Sequence, residues 1–184
     1  MPMLVYGLYL KINNLKQAEE DKILPEWPLT AWDCPIPDSC SPAARSGYNA
    51  RMNDSAKIVA QAFVRAINRQ DVDALGGLMT ETHRFVDSLG GVVEGRETVR
   101  AAWAAYFRLV PDYTLAVEET YRTGPVVIML GIAQGTLVPD AEPKPENRWQ
   151  TPAAMRAFVE EGEVAEWRIY ADNEPIRAIL RKRE

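Results

Sequence analysis

Apolar residues between Ile58 and Ile67 follow the spacing of one helix face. Ile58, Val59, Ala62, Phe63, Ala66 and Ile67 recur at one- and three-residue steps, which predicts an amphipathic helix. Asp54 or Ser55 supplies an oxygen able to cap its start, and Asn68-Arg69-Gln70 ends it. Asp71 offers a cap for a second, shorter helix through Val72, Leu75, Leu78 and Met79. The Gly76-Gly77 pair weakens that helix by about 1 kcal/mol per glycine relative to alanine.

The period then changes from helical to alternating. A strand is predicted over about 82–88, a turn at Leu89-Gly90-Gly91 and a short strand at Val92-Val93. Side chains alternate across a strand, so His83, Phe85 and Asp87 share one face and Thr82, Arg84 and Val86 the other. Gly95 breaks the chain before a third helix carrying Val99, Ala102, Trp103, Tyr106 and Val110, which Pro111 ends. From Tyr113 onward the texture is β. Strands are expected over Tyr113–Tyr121, Val126–Val138, Trp149–Glu160 and Glu163–Ala171, the last two joined by a tight Glu161-Gly162 turn. The prolines and acids of Pro139–Asn147 cannot join a ladder, so that loop is expected outside the sheet as a rim or lid. A short helix over Pro175–Arg183 closes the chain.

Helices grouped ahead of a meander argue for an α+β fold, with a curved antiparallel sheet wrapped around helices to form a cone. The open end of such a cone is an internal pocket. The regular pattern occupies residues 52–184. Residues 1–51 read as an irregular N-terminal extension, with six of the 13 prolines and no sustained period beyond a possible strand at Leu4–Leu10 and helical turns at Leu15–Leu24. Trp27 and Trp32 are candidates to anchor this arm.

Composition narrows the function classes. At 184 residues the chain can bury one substantial core. Its charge of −5 and pI near 5.1, with no basic stripe, argue against nucleic acid as a partner. One histidine and two cysteines, Cys34 and Cys40, are too few for the usual zinc site, and the cysteines read as free thiols in preference to a disulfide across their short loop. No apolar run approaches the length of a membrane span, and the start has neither a basic region nor a small-residue cleavage site. The reading is a cytoplasmic protein with no membrane contact, no metal and no cofactor.

Four segments in order carry a family resemblance. They are Ala62-Phe63 through Asp71, then Phe85-Val-Asp87-Ser-Leu-Gly90, then Glu94-Gly95-Arg96-Glu97, then Trp167-Arg-Ile-Tyr170-Ala-Asp172. Together they resemble the nuclear transport factor 2 superfamily, most closely its SnoaL-like and ketosteroid-isomerase-like branches, over about residues 54–182. The resemblance implies the cone fold and a small apolar ligand. It also places Asp87 where the isomerases hold their general base. Their oxyanion donors are missing, since Phe63 and Ala154 stand at the matching positions. Steroid isomerisation is therefore not expected. The final strand resembles that of limonene-type epoxide hydrolases, but residues 126–138 lack the arginine and aspartate of their triad. SnoaL-type cyclases use an aspartate on the last strand, for which Asp172 is the candidate.

The candidate catalytic residues are therefore Asp87, His83 and Asp172. Each has a plainer alternative. Asp87 before Ser-Leu-Gly-Gly suits an Asx turn. His83 stands four residues from Asp87, about 13 Å along a regular strand, too far for a direct pair without a bulge. Asp172 falls on the same strand face as Arg168 and Tyr170, a set that could instead form a dimer face. Phe63, Phe85, Trp103, Tyr106, Trp149, Met155, Trp167 and Tyr170 are candidates to line the pocket. The expected function is binding of a small apolar molecule, with cofactor-independent isomerisation, cyclisation or hydration by an aspartate base. The chain is expected to form a homodimer through the outer face of its sheet. A non-catalytic ligand-binding or dimerisation module is the alternative.

Overall fold

The computed structural model describes residues 42–138 and 143–182, with side chains from Ser55 onward. Among these are four α-helices and six strands. The elements in order are α1 (Pro42–Asn68), α2 (Val72–Gly76), β1 (Met79–Val86), β2 (Val92–Glu94) and α3 (Arg96–Leu109). β3 (Thr114–Thr123), β4 (Val126–Thr136), β5 (Arg148–Glu160), β6 (Glu163–Ala171) and α4 (Glu174–Arg181) follow. The strands form one curved, unclosed sheet in the order β2-β1-β6-β5-β4-β3. This is the α+β cone that the pattern implied. Cys34, Cys40, Trp27, Trp32 and the elements expected at 4–10 and 15–24 lie outside the described residues, as do 139–142.

Several boundaries differ from the sequence reading for local reasons. The first helix begins at Pro42, so Asp54 and Ser55 fall inside it rather than at its cap. Its buried stripe runs through Ala56, Ala60, Phe63, Val64 and Ile67, while Ile58 is 58% exposed. The second helix stops at Gly76, and Met79 already belongs to β1. Asp71 caps that helix as expected, its carboxylate accepting the Ala74 N–H at 2.9 Å. The loop after β4 is not wholly external. Pro145–Asn147 forms a 3-10 turn whose Asn147 is buried, donating Nδ2–H to the Leu137 carbonyl at 3.1 Å.

Strand β5 shows how the alternating sequence becomes two faces. Trp149, Thr151, Ala153, Met155, Ala157 and Val159 are buried, with exposed or half-buried residues between them. β5 pairs antiparallel with both β4 and β6 over most of its length. The sheet is nevertheless mixed, because β1 runs parallel to β6, with a register shift between Met79 and Arg84. A parallel partner some eighty residues along the chain leaves no local signal.

Helices α1 and α3 cover the concave face. Phe63 of α1 packs against Trp167 of β6 with ring centroids 4.8 Å apart, and Trp103 of α3 meets Phe85 of β1 at 5.7 Å. The entry to α3 depends on Gly95, whose φ of +89° is strained for any side-chain-bearing residue. Its N–H donates to the His83 carbonyl at 2.9 Å, tying the helix start to β1 beside the histidine.

Candidate functional site

β1 places His83 and Phe85 on the concave side, as the alternation required. His83 is fully buried and stacks on Phe63 with centroids 5.8 Å apart. Its Nδ1 lies 2.6 Å from the Val164 carbonyl of β6. A carbonyl can only accept, so Nδ1 carries the proton and Nε2 is left as the acceptor. That Nε2 is buried and has no hydrogen-bond partner. Burial lowers the His83 pKa below the ordinary histidine value, partly offset by the Val164 bond and by the charge of Glu166. The imidazole is held neutral, in one tautomer, with a free lone pair inside the protein.

Asp87 is not brought to His83. β1 ends at Val86, and Asp87 begins the turn that follows. Its Oδ1 accepts the N–H groups of Leu89 and Gly91, both at 2.8 Å. Asp172 is exposed at the end of β6, and its Oδ1 accepts the Glu174 N–H at 2.8 Å where α4 begins. Both carboxylates therefore shape backbone. The two turns meet through neighbours, since Asn173 donates to the Ser88 hydroxyl at 2.6 Å.

The expected lining residues divide into three groups. Phe63, Met155 and Trp167 are 0% exposed, with the Phe63 ring against both His83 and Trp167. Trp103 and Trp149 are buried, each next to Tyr113 at 6.3 and 6.1 Å. Phe85 and Tyr106 are half-buried, like Ile169 and Ala171 of β6. Exposure thus rises from Trp167 to Ala171 and from His83 to Phe85. Tyr170 does not belong to this set. It is 51% exposed on the convex face, with the Arg168 guanidinium 5.9 Å from its ring centre.

Tyr113 was not anticipated as a site residue. It is 3% exposed and contacts Trp103, Tyr106 and Trp149, with Tyr106 at 5.0 Å. Burial raises the pKa of both tyrosines above the usual phenol range, and their mutual proximity adds to the effect at Tyr106. Both stay protonated donors. The residue follows Pro111-Asp112 at the mouth of β3, and nothing in that stretch signals an inward direction. Two open depressions lie elsewhere. One of about 600 Å³ is lined by Thr80, Val159, Glu160, Glu161 and Glu163, the other of about 500 Å³ by Arg65 and Val117 among others, and neither includes His83. Among the described residues no three His, Cys, Asp or Glu side chains are placed to hold a metal ion. Nor is any helix among them long and apolar enough to cross a membrane.

A helix-covered, curved, unclosed sheet of this order defines the nuclear transport factor 2-like class of α+β cones. Within it, the model of the SnoaL-like domain matches residues 60–167, and the chain belongs to that family. Among solved structures it is similar to a Catenulispora acidiphila protein of ketosteroid-isomerase-like fold, crystallised with trimethylamine. The two are 20% identical over 65% of this chain and 89% of that one, with a TM-score of 0.58. A proposed SnoaL-like polyketide cyclase from Jannaschia sp. CCS1 is 19% identical over 70% and 91%, with a TM-score of 0.60. An epoxide hydrolase of the LEH-like kind from M. tuberculosis is 16% identical over 70% and 92%, with a TM-score of 0.59. At these identities the likeness is one of fold. Among curated proteins none matches significantly.

Proposed function

We propose that this protein binds a small apolar molecule on the concave side of its sheet and that His83 is the base acting on it. The observation carrying this reading is the buried Nε2, an acceptor without a partner in an interior otherwise lined by rings and aliphatic chains. A buried acceptor left unmet is costly, and a ligand proton is one way to satisfy it. The half-buried Phe85, Tyr106 and Ile169 mark the side from which a ligand would enter. A neutral imidazole next to a bound O–H, or a C–H beside a carbonyl, can take its proton, the first step of a cofactor-independent isomerisation, cyclisation or hydration. Asp87 and Asp172 act in this reading through the turns they hold.

Screening small apolar molecules by thermal shift, then following turnover of each binder, tests the reading. His83→Gln is expected to lower turnover by about 100-fold or more, the usual scale of a lost general base, while Asp87→Asn leaves it near wild type. Turnover unaffected by His83→Gln would remove the catalytic role.

A second reading has its own support. The convex face exposes Tyr121, Ile128 and Tyr170, at 55%, 37% and 51%. Tyr121 and Ile128 are direct cross-strand neighbours. Such a face suits pairing with a second copy of the chain, with or without catalysis.

A further inference from the structure

Strand β3 ends the sheet, so one side of its backbone faces no other strand. At Leu115 that side is closed by Asn68, which takes both the N–H and the carbonyl. Leu115 thus faces outward, and its neighbours Thr114 and Ala116 bond inward to Gln134 and Ile132 of β4. The same alternation along β4 turns Leu130, Ile128 and Val126 toward β3, opposite Glu119, Tyr121 and Thr123. Glu118, Thr120 and Arg122 therefore direct their N–H and carbonyl groups outward. No hydrogen bond meets these outward groups among the described residues. The depression of about 500 Å³ lies alongside, lined by Glu118 and Thr120 and by Gln61 and Arg65 of α1.

Open edges are ordinarily guarded by charge, and here the charges form a pattern. Glu118 and Arg122 stand four residues apart, about 13 Å along the strand, too far to pair with each other. Neither has an ion-pair partner among the described residues, and the Arg122 guanidinium donates only to the Gly124 carbonyl. A strand pairing antiparallel here needs a base opposite Glu118 and an acid opposite Arg122. Read from its N-terminus, such a strand carries an acid, three residues and then a base. Glu118–Arg122 is itself that segment.

We propose that β3 pairs antiparallel with β3 of a second copy, about a twofold axis at Thr120. Thr120 then faces its own counterpart, and Glu118 of each copy faces Arg122 of the other. Glu118, Thr120 and Arg122 exchange their outward N–H and carbonyl bonds, and the two six-stranded sheets become continuous. Charge fixes the register. Centred on Glu119, the strands would set glutamate against glutamate; centred on Tyr121, they would set Glu118 against Gly124. The contact uses the sheet edge rather than the convex face. It is small and has no apolar seal, so it belongs at concentrations on the order of hundreds of micromolar, above the range of convex-face pairing.

Sedimentation equilibrium of the full chain from about 50 μM to about 1 mM spans the range expected for so small a contact. The wild-type mass is expected to rise across it. Glu118→Arg sets arginine against arginine at both ends and should weaken the association at least about tenfold. Adding Arg122→Glu to that variant reverses both charges and should recover wild-type association to within about threefold. Thr120→Pro removes the central outward N–H, on the side where an edge strand accepts proline, and should weaken association at least about tenfold. The Ile128→Glu and Tyr170→Glu double variant should keep the rise, since both changes lie on the convex face. A constant wild-type mass, or association unmoved by Glu118→Arg or Thr120→Pro, overturns edge pairing. So does a double charge swap no better than Glu118→Arg, or loss of the rise in the convex-face variant. Each of these outcomes leaves the binding reading standing.

Discussion

Asp87 and Gly91 close a turn on each other. The Asp87 carboxylate accepts the Gly91 N–H at 2.8 Å, and the Asp87 N–H donates to the Gly91 carbonyl at 2.9 Å. A Cβ on Gly91 would come within 2.5 Å of Asp87 Oδ2, so a side chain there would have to push the carboxylate aside. The aspartate therefore organises the β1–β2 turn beside the site. Asp87→Ala is expected to lower the unfolding free energy by about 1–2 kcal/mol, the cost of two backbone donors losing a charged acceptor at a partly exposed turn. Asp87→Asn keeps the Oδ1 acceptor and should lose less than half as much. Urea unfolding of the two variants checks the order.

His83 links stability to pH with a definite sign. Its folded pKa lies below the unfolded value of about 6.5, so the unfolded chain binds the proton more readily. Above about pH 6.5 both states are neutral and the residue contributes no slope. As pH falls below that value, stability is lost by up to about 1.4 kcal/mol per unit until the folded state protonates too. His83→Phe should flatten this part of the stability–pH curve relative to wild type. An unchanged slope in the variant would assign the acid sensitivity to other groups.

Gly131 faces a bulge. The register of β3 against β4 shifts between Val117 and Glu119, and a Cβ on Gly131 would overlap the Ala116 carbonyl oxygen. Backbone cannot yield as a side-chain tip can. Gly131→Ala should cost about 2–4 kcal/mol, seen as a large drop in thermal midpoint. By contrast Gly124→Ala, at an open turn with φ of +54°, carries only backbone strain and should cost about 1 kcal/mol.

Asn68 pairs with the edge of the sheet. Its Nδ2 donates to the Leu115 carbonyl at 3.0 Å, and its Oδ1 accepts the Leu115 N–H at 2.8 Å. The last residue of α1 thus supplies both bonds that a further strand would have made to this residue of β3. Asn68→Ala should lower stability by about 1–2 kcal/mol and speed amide exchange at Leu115. If exchange at Leu115 stayed slow, something other than the Asn68 side chain would be protecting that N–H.

The convex face offers a test of self-association. Arg156 and Arg168 stand directly opposite across β5 and β6, an arrangement that repels unless an acid intervenes. Glu166 intervenes, 2.5 Å from Arg156 and 3.5 Å from Arg168. Around this network lie Ile128 and Tyr170. The double change Ile128→Glu and Tyr170→Glu should convert a dimer to a monomer in sedimentation velocity at tens of micromolar. A wild-type chain that sediments as a monomer over that range ends the dimer reading.

Much of the frame was legible along the chain because its signals are local. Helical spacing located α1 and α3, and alternation located β5 and β6 almost to the residue. The same alternation put His83 and Phe85 on one face. Its failures were also local in cause. Helix α1 continues upstream of residues suited to capping, and the double glycine shortened α2. Ile58 matched the apolar stripe and still faces solvent, since spacing alone does not say which neighbouring residues the sheet will cover.

The roles of the ionisable residues needed the tertiary structure. Sequence put Asp87 and His83 on one face of one predicted strand, with an Asx turn as the alternative for Asp87 and a dimer face as the alternative for Asp172. The parallel pairing of β1 with β6 decided the matter for the histidine. It brings the Val164 carbonyl, 81 positions away, to 2.6 Å from Nδ1 and so leaves Nε2 as the free acceptor. Local order in the chain determines which residues alternate and where turns form, because those depend on neighbours. Which nitrogen keeps its proton depends on strands that meet only after the chain has folded.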